Sequence, residues 1–83
     1  MEDPADVILD AMVARLAEEG LSATYMVGYT NPLTAIVKLA AGNGTSWTWM
    51  DYVPDTPEDM PDHDLQAVGR GFAEGILRDP RAR

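Results

Sequence analysis

Residues 21–53 read LSATYMVGYTNPLTAIVKLAAGNGTSWTWMDYV, and the turn Gly42-Asn43-Gly44-Thr45 near the end of this stretch decides the fold. Asn-Gly between two runs of β-formers is the strongest short hairpin signal, because a type I′ turn needs positive φ at both central residues and these two tolerate it best. Five of the six aromatic residues lie here: Tyr25, Tyr29, Trp47, Trp49 and Tyr52. No Asp or Glu occurs between Gly20 and Met50, although the chain as a whole carries a formal charge of −8. An acidic protein that keeps its carboxylates out of one continuous segment is expected to use that segment as the sheet on which the rest packs.

Period-two alternation divides the stretch into three strands, at about 21–30, 35–41 and 45–53. Tyr25, Val27 and Tyr29 share one face of the first, with Thr24 and Met26 on the other. In the second, Ala35, Val37 and Leu39 oppose Ile36 and Lys38; in the third, Trp47, Trp49 and Asp51 oppose Thr48, Met50 and Tyr52. Asn31-Pro32 suits the start of a type I turn between the first two strands. Short connections then make an antiparallel meander the simplest topology.

Outward from the sheet, Asp3-Pro4 opens a first helix at about 4–19, with Asp as N-cap and Pro at a position where its missing N–H costs nothing. Ala5, Ile8, Leu9, Met12, Val13 and Leu16 form its apolar stripe. Gly20 is placed for the left-handed residue of a C-terminal cap and Leu21 for the hydrophobic contact beside it. On the far side, 54–64 is a connector with three prolines and five acids, which excludes a continuous helix or an inner strand. A last helix follows at about 63–78, with Leu65, Val68, Phe72 and Ile76 as its stripe and Glu74 and Arg78 as an i,i+4 pair. Gly69, Gly71 and Gly75 weaken it, and close backbone approach is expected at Gly69 and Gly75. The tail 81–83 is expected to fray. The whole is a single α+β domain over 1–83: a two-layer αβββα arrangement, a three-stranded antiparallel sheet with two helices on one face.

Composition bounds what such a domain can do. The 46% hydrophobic content fits a folded chain, and 83 residues lie near the lower size for a self-sufficient core. Without cysteine there is no disulfide framework, thiolate metal site or cysteine nucleophile. Six basic residues against fourteen acids weigh against direct binding of nucleic acid or an anionic membrane. The N-terminal Met1-Glu2-Asp3-Pro4 lacks the basic and apolar regions of a signal peptide, which makes cytoplasm the expected compartment.

The order helix, three strands, helix resembles that of double-stranded RNA-binding domains. Those domains approach RNA through a basic loop and a lysine-rich start of the last helix, whereas residues 61–69 here hold Asp62, His63 and Asp64 with no lysine. The similarity is one of topology, and neither the activity nor any residue carries over.

Chemistry-bearing constellations are sparse. The only imidazole, His63, sits among acids in the connector, and no Ser or Thr is paired with a base in the pattern of a nucleophile. Asp51, Asp55, Glu58, Asp59, Asp62 and Asp64 cluster, but prolines stand where a calcium loop needs glycine, and no terminal glutamate has the required spacing. Gly69-Arg70-Gly71-Phe72-Ala73-Glu74-Gly75 lies inside a helix rather than at a strand-to-helix turn, so it is no nucleotide-binding loop. Neither a metal, a cofactor nor catalysis is expected.

Surfaces remain. Two helices cover one sheet face, and large side chains stand on both, so one apolar face is left for a partner unless the connector or the chain ends fold over it. The expected function is therefore a non-enzymatic protein–protein interaction module, such as an inhibitor, immunity or phage-type antagonist. Its expected partner-binding residues are Tyr25, Tyr29, Trp47, Trp49 and Tyr52 on the sheet, with Asp55, Glu58, Asp59, Asp62 and Asp64 steering a basic partner. The alternatives are a homodimer whose sheets pack face to face and a small-molecule pocket lined by Trp47, Trp49 and tyrosines.

Overall fold

The computed structural model describes residues 3–54 and 59–82. Its elements run α1 (Pro4–Glu18), β1 (Ser22–Gly28), β2 (Thr34–Ala40), β3 (Ser46–Tyr52), α2 (Asp62–Leu77) and a short 3-10 turn, η1 (Pro80–Ala82). The three strands form an antiparallel sheet in the order β1-β2-β3, and both helices pack together and against it. The predicted α+β layers and element order are those observed.

Helix α1 begins and ends where its caps dictate. The Asp3 carboxylate accepts from the Ala5 N–H at 3.0 Å. At the other end Gly20 takes φ +80°, its N–H donates to the Ala17 carbonyl and the Leu21 N–H donates to the Leu16 carbonyl. This pair of bonds is the Schellman cap, and Leu21 is buried beside it. The observed stripe is Ala5, Val7, Ile8, Leu9, Met12 and Leu16. Val7 replaces the expected Val13, which is only half-buried, because α1 packs on α2 as well as on the sheet and its buried arc is turned accordingly.

The helices cross at Gly69. A Cβ there would fall on the main-chain carbonyl oxygen of Ile8 and 3.0 Å from the Ala11 Cβ, so only glycine lets the two backbones come this close. Gly75, the other position expected to show close approach, has nothing within 4 Å of where a Cβ would stand. The buried line of α2 is thus Leu65, Gly69, Ala73 and Ile76, with Val68 and Phe72 half-buried. Phe72 tilts against the Trp49 ring at 5.5 Å between centroids, which ties α2 to the far strand. Glu74 pairs with Arg15 of α1 at 3.0 Å, not with the expected Arg78.

Two connections differ from expectation. The β2–β3 hairpin is closed by Ala41 N–H to Thr45 O and Gly44 N–H to Ala41 O, with positive φ at Gly44 (+90°) and not at Asn43. That is a three-residue loop, and the Asn43 side chain accepts from the Thr45 N–H at 3.0 Å in place of adopting the left-handed conformation. The β1–β2 connection carries a cis Asn31–Pro32 peptide where a type I turn was expected. Thr30 Oγ1 donates to the Pro32 carbonyl across it, and β1 ends at Gly28. The tail also departs from prediction. Residues 80–82 form η1, and the Arg81 guanidinium lies 5.4 Å from the centre of the Trp47 ring while binding both Asp79 oxygens.

Candidate functional site

Pairing register sorts the strand residues into two faces. Odd-numbered positions point to the helices: Ala35, Val37, Leu39 and Trp47 are buried, and Ala23, Tyr25, Val27 and Trp49 are half-buried against them. Even-numbered positions form the other face in four cross-strand rows. One is Met26–Ile36–Met50, flanked by Thr24–Lys38–Thr48 on one side and Gly28–Thr34–Tyr52 on the other; Ser22–Ala40–Ser46 lies at the hairpin end. Met26, Met50 and Tyr52 keep 60%, 62% and 64% of their surface exposed. Of the twelve positions on this face, none is acidic and Lys38 is the only charge.

Among the described residues the apolar side chains flanking the sheet are spent on the helix side. Val53 after β3 is buried, and Met60 before α2 packs on the same core, so the described ends of the connector serve the helix side.

This placement corrects part of the expected docking surface. Trp47 is 8% exposed beneath Arg81, and Trp49 is half-buried against Phe72. Tyr25 is half-buried, its hydroxyl donating to Asp10 at 2.7 Å and to Asp6 at 3.4 Å. Desolvation, together with these carboxylates, pushes the Tyr25 phenol above its ordinary pKa. All three therefore serve the core side and are withdrawn from the open face. Tyr52 does lie on that face, and Tyr29 is exposed beyond the end of β1. Met26, Ile36 and Met50 stand where the tryptophans were expected.

The acids take a different position. Asp55 and Glu58 lie outside the described residues. Asp59 is exposed in the turn before α2, and Asp62 and Asp64 occupy that helix's first turn, where the positive dipole end favours them. His63 reaches Asp64 at 3.2 Å with 80% of its side chain in water. Among the described residues, no group of three or more His, Cys, Asp or Glu side chains is arranged to hold a metal ion. Nor is any described helix long and apolar enough to cross a membrane.

A groove of about 410 Å³ runs between α1 and α2, bordered by Asp10, Ala11, Arg15, Glu18, Gln66 and Arg70. Its Arg15 is already engaged, binding Glu19 at 2.8 Å and Glu74 at 3.0 Å, which raises the pKa of its guanidinium. Neither tryptophan borders it, so the aromatic small-molecule pocket has no counterpart there. Comparison of the chain with protein-family models, with curated proteins and with solved structures found no match.

Proposed function

We propose that this chain is a small non-enzymatic interaction module that binds protein through the open face of its sheet. The observation that carries the reading is the Met26–Ile36–Met50 row, an apolar band across all three strands with Tyr52 beside it. A domain this small has little apolar area to spare, and an apolar row on it with Met26 and Met50 exposed on either side of a half-buried Ile36 supports reading this face as an interface. Methionine suits such a surface because its unbranched, polarisable chain adapts to the shape opposite it.

The test compares immobilised wild type with Met50→Glu as bait in extract from the native host. The expected outcome is protein retained by wild type and lost with the variant. Identical capture by both would overturn the reading.

A further inference from the structure

We propose that the occupant of the open face is a second copy of this chain, the two sheets stacked face to face about a two-fold axis through Ile36. The inference rests on the reading of this face as a protein-binding surface and names its partner.

Charge layout favours a second copy over a basic protein. Eleven of the fourteen acids lie among the described residues; none occupies one of the twelve positions of the open face, most stand on or beside the two helices, and Asp51 alone borders the face, at its Met50–Tyr52 edge. The acid-free face is thus where two copies, each carrying −8, can meet with their carboxylates directed away from one another. A surface shaped for a basic protein would place carboxylates within its contact patch, where this face has Lys38 as its one charge.

The row order is also self-complementary. Rotation about an axis along the Met26–Ile36–Met50 row sets that row against itself, Met26 on Met26 and Met50 on Met50. It sets Thr24–Lys38–Thr48 against Gly28–Thr34–Tyr52 of the other copy. The two Lys38 levels then lie four residues apart, roughly 13 Å, beyond the ~8 Å screening length at physiological salt. An axis along β2 would instead place Lys38 on Lys38. Sheets stacked this way have the aligned geometry common to β-sandwiches.

Size sets the strength. Three strands of seven residues give a footprint of roughly 330 Å² per copy, below the ~800 Å² of a standard interface, so association is weak and reversible.

Sedimentation of the full chain from low micromolar to millimolar concentration, at low and high salt, tests the proposal. The expected result is a monomer–dimer equilibrium that tightens as salt rises, because screening relieves repulsion between two acidic molecules. Met26→Glu and Met50→Glu, both at exposed positions and checked for fold by circular dichroism, are each expected to weaken it by about tenfold or more. Ala67→Ser, exposed on α2 on the other side of the sheet, leaves it unchanged. A monomer throughout, a dimer that loosens with salt, or one that survives both glutamates would overturn the proposal. Should the chain be monomeric while the bait experiment still captures a protein that Met50→Glu loses, the interface reading stands and the second copy alone is wrong. Failure of both experiments removes the reading itself.

Discussion

The two faces of the sheet are built from the same three strands and share every backbone hydrogen bond, yet they answer to different demands. On the helix side, Val37 and Leu39 are sealed among Ile8, Leu9, Met12, Leu16 and Ile76. On the other, Met26, Ile36 and Met50 make a band of comparable greasiness that no described segment crosses. The contrast teaches that burial, more than residue type, separates side chains that hold this fold from those available for contact. Substitutions across the sheet are therefore expected to split sharply.

The largest loss is expected on the covered side. Leu39→Ala removes a fully enclosed side chain and leaves a cavity, so denaturant unfolding should show a loss of about 3 kcal/mol. Met50→Ala, on the neighbouring strand but the opposite face, should stay within about 0.5 kcal/mol of wild type. Equal losses at the two positions would erase the distinction between the faces.

Next in size come the glycines of α2. Alanine normally stabilises a helix relative to glycine by about 1 kcal/mol, and Gly71→Ala and Gly75→Ala should each gain up to that amount, since nothing stands within 4 Å of either new methyl. Gly69→Ala should reverse the sign and cost about 1–3 kcal/mol, because the methyl would collide with the Ile8 carbonyl. Thermal melts of the three variants compare the sealed layer with its own solvent side.

A smaller effect is expected where the covered face meets water. Tyr25→Phe removes the hydroxyl that binds Asp10 and Asp6 and should cost about 1 kcal/mol near neutral pH. The raised phenol pKa gives this contribution a direction: it is present while the phenol is protonated and is lost at alkaline pH as the folded phenol ionises. The wild-type and phenylalanine stability profiles should therefore converge in strong alkali.

Smallest of all is the clasp on Trp47. Hydrogen bonds from the Arg81 side chain and backbone lower the Asp79 pKa from 3.8 to about 2. A depressed carboxylate favours the folded form above its ordinary range, and the benefit fades as pH falls through about 2. Tryptophan emission should therefore keep its Arg81-covered character below pH 3.8 and lose it near 2, while Asp79→Asn shifts it at neutral pH.

The sequence made the strands, their parity and the helix caps legible because each rests on local chemistry. Asp3-Pro4 and Gly20-Leu21 need only their own neighbours to define α1. Which parity the helices cover is a tertiary choice, and large side chains on both faces concealed it. A signal was nevertheless present. The even positions carry the hydroxyls of Ser22, Thr24, Thr34, Ser46 and Thr48 as well as Lys38, whereas among the odd strand positions only Tyr25 and Asp51 carry a hydroxyl or a charge. Weighing polar groups, not aromatics, would have turned the tryptophans inward. The partner of Glu74 and the turning of α1 toward Val7 depend on where the helices cross, and that crossing is set by Gly69 contacting a residue sixty-one positions earlier. No local pattern announces such a contact.

The account depends most on a sheet with one sealed and one open apolar face, and three methionines report on it directly. Met12, on the inner side of α1, is fully buried, while Met26 and Met50 stand on the open side. With a soluble paramagnetic agent added to dilute protein, the methyl signals of Met26 and Met50 should broaden strongly and that of Met12 should stay sharp. Protection of Met26 and Met50 equal to that of Met12 would show both faces sealed and would contradict the account.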